Sequence, residues 1–437
     1  MKKLGLLFVC CALLFCMNAL AEDYPGARFV VRSDLDLRYI QVILKNADAY
    51  QKNIQSRYSL KIWQPKPIIY YSEKQSDTQQ LLDNKGYKIK VEQGFYEPDT
   101  SAIYTHRLMN NGELNGWNGL FHEIARHLID LNYSSAPPWF KEGLACFLGE
   151  QTQITDGKLT IGVPKPSSEK MLRNEIEQDH RPNVKRLFST SEEVQFHEWN
   201  MGCHFARAFF YWLHKTGRLK EYLKNAQEKG YSLEVLEETL SLSYSEINVE
   251  LIKFIKNECY AGACMQDGLD AHDKDQKIQA FLKALELKPD YYITRLELAE
   301  CYYRSGDYKS CRDNLEPILN DPEIPQYRQA AELMANIYYK KKDYNQALDY
   351  FNKAWKHSDY YAYQYRLAYQ IGNCFYQTQD RFNAKKWYKK FLDGKWEKND
   401  MKANEDFVRK YIELIDTSKE RPQKREKKTQ NSPEVNP

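Results

Sequence analysis

The sequence predicts an α+β protein in two parts: a mixed sheet-and-helix domain, then an all-α array of repeated helix pairs. Three observations carry that expectation. Between residues 28 and 106 the apolar residues change from alternation to three-to-four spacing and back, the signature of strand, helix and strand followed by a hairpin. A helix opening Leu120-Phe-His-Glu-Ile-Ala-Arg-His is then followed, after Pro137-Pro138, by Trp139-Phe-Lys-Glu-Gly-Leu-Ala145. Beyond Lys274 small and aromatic residues recur with a long period, Ala299, Ala335 and Gly372 being 36 and 37 residues apart.

Composition bounds the function. Of the 437 residues 42% are hydrophobic and 28% charged, enough apolar side chain to bury sizeable cores. The formal charge is +3, and without Lys2 and Lys3 it would be +1, so nothing points to a nucleic-acid partner. Those two lysines precede an apolar run from Leu4 to Cys16 and then Ala19-Leu20-Ala21. That order predicts a secretory signal peptide over 1–21, cleaved before Glu22, and is too short for a membrane span. The mature chain is therefore expected to be exported, to the periplasm or the medium, with no span of its own.

Seven cysteines follow the leader, an odd number: Cys146, Cys203, Cys259, Cys264, Cys301, Cys311 and Cys374. Cys259 and Cys264, separated by Tyr-Ala-Gly-Ala, are a candidate disulfide in an oxidising compartment. Cys301, Cys311 and Cys374 fall on repeat positions where a small buried side chain suffices.

Arg28 to Ser33 reads as a strand, Leu37 to Tyr58 as an amphipathic helix, and Lys66 to Tyr71 as a second strand. Gln75 to Leu82 reads as a short helix, and Gly94 to His106 as a hairpin turning at Pro98-Asp99. Asn115 to Gly119 is expected as a loop and Leu120 to Leu131 as a helix, with Leu120, Ile124 and Leu128 on one stripe. His122 and Arg126 share another face. The next histidine, His127, is one position too late: residues four apart lie about 40° apart around a helix, residues five apart about 140°. Only a π-bulge would bring it round. The second helix is expected to put Glu142 on its inner face. A hairpin turning at Asp156-Gly157 follows, and Met171 to Phe188 reads as a polar segment packing loosely. From Trp199 to Ile255 the pattern is helical, with Ser243 and Glu246 spaced as a capping box.

These residues carry a resemblance. His122-Glu123, with Pro138-Trp139-x-x-Glu142-Gly143-Leu144-Ala145 downstream, resembles the peptidase-MA-like gluzincins, whose sites read H-E-x-x-H and P-x-W-x-x-E-G-x-A. The resemblance covers about residues 28–258 and implies a zincin-like mixed α/β domain over 22–258. By position it makes His122 the first zinc ligand, Glu123 the general base and Glu142 the third ligand. It further implies that the hairpin's edge strand would take substrate by strand addition. The second ligand position is Arg126, which has no lone pair and carries a fixed positive charge. Its guanidinium could instead pair with Glu142 or Glu123. Two functions follow. One is a zinc-free, catalytically degenerate domain; the other is a working zinc peptidase in which His127, His106 or His204 substitutes for the missing ligand. In a live site His204 or Tyr211 would stabilise an oxyanion, although core packing accounts for Tyr211.

The repeats resemble a second family. Leu298-Ala-x-x-Tyr302 with Gly306-Asp-Tyr308, Ala335-x-x-Tyr338 with Asp343-Tyr344 and Ala347, and Gly372-x-x-Phe375 with Asp380 and Ala384 are similar to tetratricopeptide repeats. That implies an all-α solenoid over 270–415, with a concave face for a protein or peptide partner. Tyr360, Tyr361, Tyr363, Tyr365 and Tyr369 could contribute to that face, with inter-helix packing claiming most of them. The basic stretch over 416–437 is expected to be a disordered tail.

Overall fold

The computed structural model describes residues 22–61, 66–107, 117–155, 158–178, 183–189, 202–358, 361–394 and 401–417. The expected signal peptide over 1–21, Asn115-Gly116, Asp156-Gly157 where a turn was expected, Trp199 to Met201, Tyr360 and residues 418–437 of the expected tail lie outside them. The chain divides into two compact units, with the boundary between Leu333 and Met334.

The first unit begins with a five-stranded sheet. β1 (Glu22–Pro25), β2 (Val30–Ser33), β3 (Ile68–Ser72), β4 (Gly94–Glu97) and β5 (Ala102–His106) stand in the order β1-β2-β3-β5-β4. β2, β3 and β5 run parallel; β1 and β4 are antiparallel edge strands. The parallel pairs require crossovers, supplied by α1 (Leu37–Tyr58) and α2 (Gln75–Asn84). α1 forms because Tyr39, Ile40, Ile43, Ala47, Tyr50, Ile54 and Tyr58 make one buried stripe. The Asp36 side chain caps its first turn, and Ser59 ends it in the left-handed region at φ 58°. β1 escapes the sequence patterns because it is four residues long and carries little apolar signal. It is held by its ladder and by the Asp23–Arg32 ion pair at 2.6 Å.

α3 (Trp117–Asn132) packs against β4 and β5 and starts three residues earlier than expected, a little under one turn. Residues Trp117 to Gly119, expected as loop, are helical. Tyr50 of α1 ties the layers together. Its ring stacks on Phe121 at 4.3 Å between centroids, and its hydroxyl donates to the Leu148 carbonyl at 3.0 Å. Such a ring pair adds about 0.5–1.5 kcal/mol beyond area burial.

Pro138 opens α4 (Pro138–Ala145) at a position where a missing N–H costs nothing. Cys146 to Glu150 continue as a single π-helical turn, after which β6 (Thr152–Thr155) and β7 (Lys158–Ile161) pair as an antiparallel hairpin. α7 (Gly202–Lys215) lies on α4 after α5 (Pro166–Glu177) and α6 (Val184–Ser189). Gly143 permits that approach: a Cβ there would lie 2.5 Å from the Ala206 Cβ. Trp139 fills the junction, with Phe140, Phe188, Phe209 and Phe210 around it at 4.5–6.2 Å.

The segment expected to pack loosely does not. α5 buries Ser168, Glu169, Leu172 and Ile176 and lies along α11 (Tyr260–Asp270), to which Arg173 is joined by Asp267 at 2.6 Å. Before α11 come α8 (Leu219–Lys229), α9 (Leu233–Leu240), α10 (Tyr244–Phe254) and a second π-turn over Ile255–Cys259. The Ser243–Glu246 capping box at the start of α10 is formed. The disulfide expected between Cys259 and Cys264 is absent. Both thiols are free and buried in continuous helix, where residues five apart point to different sides.

α12 (Lys274–Leu287), α13 (Tyr292–Ser305) and α14 (Tyr308–Leu319) follow as successive packed helices. Ala261, Cys264, Met265, Phe281, Ala284, Tyr291 and Leu298 form their core, with Phe281 pressed on Gly268. α15 (Tyr327–Lys340) carries the boundary between the units. In the second unit α17 (Tyr361–Gln377) packs on α16 (Tyr344–Lys356) and on α18 (Arg381–Gly394), and α19 (Lys402–Thr417) on α18. Tyr365, Ala368, Ala384, Tyr388 and Phe391 are its core, so Tyr365 and Tyr369 serve packing there.

One local device recurs along these helices. A helix ends on a residue in the left-handed region, Gly306 (φ 81°), Lys342 (φ 62°) or Gln379 (φ 60°). The next N–H, of Asp307, Asp343 or Asp380, bonds the carbonyl five residues back. That aspartate then caps the following helix through Ser310, Gln346 or Asn383. Asp273 caps α12 in the same way. Successive caps are 34, 36 and 37 residues apart, so this part of the protein is a helical-repeat architecture.

Candidate functional site

α3 and α4 meet with His122, Arg126 and Glu142 facing one another, as the one-turn spacing of the first two requires. His122 Nε2 lies 3.5 Å from Glu142 Oε1, and Arg126 Nε lies 4.0 Å from Glu142 Oε2. Each carboxylate oxygen thus faces its own cation. The π-turn adds a third group: Cys146, one turn after Glu142, places its Sγ 3.7 Å from Glu142 Oε1. The same turn brings Gly149 against the His122 backbone, where a Cβ would lie 2.5 Å from His122 N and 2.9 Å from its Cβ. That close approach lets the π-turn pack directly on α3 at His122.

The electrostatics follow from burial opposed by charge. Burial works against a charge on His122, but Glu142, Glu123 and Glu150 outweigh it and raise the imidazole to about 9. Burial likewise works against ionising Glu142, and the hydrogen bond and charge of His122, with Arg126, bring it down to about 2. The pair is an imidazolium and a carboxylate at neutral pH. Burial pushes the Cys146 thiol up, with Glu150 and Glu142 adding to the effect, so it is protonated. Glu123 packs on Gly94 of the edge strand, where a Cβ would lie 2.8 Å from its Cγ. Burial raises its carboxyl, against the pull of His122 and Arg126, and its Oε2 has no hydrogen-bond partner.

The other candidate residues are elsewhere. α3 is a regular helix with no π-bulge, so His127 turns away from His122. Its Nδ1 lies 3.3 Å from the Tyr96 hydroxyl, and burial lowers it to about 4. His106 is buried on β5, lowered by burial, and its Nδ1 has no partner. His204 Nδ1 lies 2.9 Å from Ser168 Oγ, with burial and then Arg207 lowering it. Tyr211 packs between Phe147 and Phe254. Among the described residues the one group of three donors able to meet at a metal is His122, Glu142 and Cys146, all within 4.8 Å. The spacing Glu142 to Cys146, one helical turn, was the sequence signal for the third member.

The resemblance implies zinc held by two histidines and a glutamate. The two-histidine set is incomplete: the second position holds Arg126, whose cation already faces the ligand carboxylate. These residues do not fit that set.

Comparison with known proteins adds little. No protein-family model matches the chain, and no curated protein does. Among solved structures it aligns with the "Crystal Structure of the Yeast Tom70" at 11% identity, covering 88% of this chain and 76% of that one. The TM-score of 0.25 means the two are not superimposable overall, and the alignment carries no weight here. Among the described residues no helix is long and apolar enough to cross a membrane.

Proposed function

We propose that this is an exported partner-binding protein whose peptidase-MA-like domain, residues 22–258, keeps the gluzincin scaffold but has lost zinc and catalysis. The tetratricopeptide-like helices over 270–415 then hold a protein or peptide on their concave face. The observation that carries the first half is the ion-pair triad, with Glu142 between His122 and Arg126. A fixed cation repels Zn²⁺ and neutralises the carboxylate that would bind it. The parallel strands ending in the antiparallel edge strand β4, beside α3, support the scaffold assignment. The recurring aspartate caps, near the roughly 34-residue period of tetratricopeptide arrays, support the second half.

Cys146 favours a second reading, a working metallopeptidase whose third donor is a thiolate rather than a substitute histidine. Metal analysis of protein stripped with chelator and re-exposed to Zn²⁺ separates the two. The zinc-free reading expects less than stoichiometric metal, and expects Arg126→His to create an affinity that His122→Ala removes. Stoichiometric zinc in the unaltered protein, lost in His122→Ala and in Cys146→Ser, overturns it in favour of the second. An Arg126→His variant that stays metal-free overturns the gluzincin assignment itself.

A further inference from the structure

Away from the candidate site, buried polar side chains without partners gather where α5 crosses α11. The crossing is at Gly262, where a Cβ would run into Glu169 Oε2 and lie 3.3 Å from the Tyr291 hydroxyl. Glu169 is 1% exposed, Arg207 2% and Tyr291 3%. Glu169 Oε1 accepts the Lys165 backbone N–H at 3.2 Å. Glu169 Oε2, the Tyr291 hydroxyl, and Nε and Nη1 of Arg207 have no partner. Hydrogen-bond donors are what hold a buried carboxylate in its charged form, and Glu169 has one.

The surrounding groups are few. From α7, Arg207 favours ionised Glu169, and it also favours ionised Glu150 in the π-turn beside the candidate site. Lys288 favours the ionised form and Glu258 opposes it. Tyr211, Cys259 and Tyr291 feel its charge. His204 is held on the neighbouring Ser168, and Lys165 reaches Glu150 at 3.3 Å. On α5 itself, Lys170 and Arg173 are taken by Asp267, at 3.0 and 2.6 Å. Burial is the largest influence and sets the Glu169 carboxyl at about 7, with Arg207 next and opposing.

We propose that Glu169 and Tyr291, closed on Gly262, and the buried Arg207 guanidinium whose charge acts on Glu169 form a proton-gated latch: neutral Glu169 holds α5 down on α11, and ionised Glu169 loosens the seam between the sheet-bearing lobe and the first repeat helices. The closed seam binds the proton more tightly than the open one. Its stability is full below the ordinary glutamate value near 4.5 and is lost as pH rises through about 7. Across that window the opening equilibrium rises by about 300-fold and then levels off. None of this depends on whether the candidate site binds zinc.

The test is hydrogen exchange of the full chain from pH 4.5 to 8, corrected for intrinsic rates, in wild type and Glu169→Gln. Wild type should lose protection over 166–177 and 260–270 as pH rises, while Glu169→Gln, neutral throughout, keeps it. Equal pH dependence in the two proteins, or a loss spread over the whole chain, overturns the latch. Arg207→Gln should move the midpoint above 7; an unmoved midpoint counts against it. Should neither variant fold, carboxyl-¹³C titration of wild type decides, since a protein with no glutamate titrating between pH 6 and 8 has no such latch.

Discussion

Gly149→Ala should cost the first unit about 2 kcal/mol, because the new methyl group has nowhere to go. Its Cβ would stand 2.5 Å from His122 N and 2.9 Å from His122 Cβ, where 3.4 Å begins ordinary contact. His122 N and Cα are main chain, and its Cβ is bonded directly to them, so none of the three can rotate aside. The π-turn and α3 must therefore separate by about 1 Å, and overpacking of this kind costs about 1–3 kcal/mol. A backbone obstacle belongs at the upper end, and replacing Gly by Ala in a helical segment returns roughly 0.5–1 kcal/mol. Urea unfolding followed by tryptophan fluorescence measures the difference. The same separation should carry His122 away from Glu142, moving its imidazole from about 9 toward 6.5, which NMR titration reads. A variant as stable as wild type, with His122 titrating where it did, would refute the reasoning.

Three further outcomes are expected. In chelator-treated protein His122 contributes stability that is full below pH 6.5 and lost as pH rises through about 9, at most about 3 kcal/mol. The stability gap between wild type and His122→Gln should accordingly close between pH 6 and 9.5, and a constant gap would contradict the pair. Phe281→Ala removes a fully buried ring seated on Gly268 and should cost about 3–5 kcal/mol by urea unfolding; a loss below about 1 kcal/mol would show that the repeat core is not packed as described. Ser243→Ala opens the capping box, where the serine hydroxyl and backbone N–H reach Glu246 at 2.6 and 2.8 Å. It should cost about 1 kcal/mol in thermal unfolding, and no change would mean the cap is not formed in solution.

What could be read from the chain was set by neighbours a few residues apart. α1 was legible over its whole length because a buried stripe at three-to-four spacing needs only the helix itself. The repeat turns were legible because the Asp343 and Asp380 caps act on residues three further on. The facing of His122 and Arg126 follows from a spacing of four, and of the two carboxylates expected as partners for Arg126, Glu142 and Glu123, it faces Glu142 at 4.0 Å. Cys146 was read only as one of seven cysteines, although its one-turn spacing from Glu142 puts its thiol beside that carboxylate; the π-turn after it, which brings Gly149 against His122, is announced by nothing in Cys-Phe-Leu-Gly-Glu. α5 looked too polar to be buried, yet Glu169 is covered because a glycine ninety-odd residues later leaves room for it.

The amino-acid sequence by itself determined most of the elements and their order, the repeat period, and the one-turn spacing that sets Arg126 beside His122. Those depend on covalent spacing and on residue chemistry, which exist before folding. Only the tertiary structure decided what each buried charge meets: His127 a tyrosine, Glu142 two cations and a thiol, Glu169 a single backbone N–H. Burial strengthens electrostatic interactions by removing water, and which groups lose their water is a property of packing between distant segments.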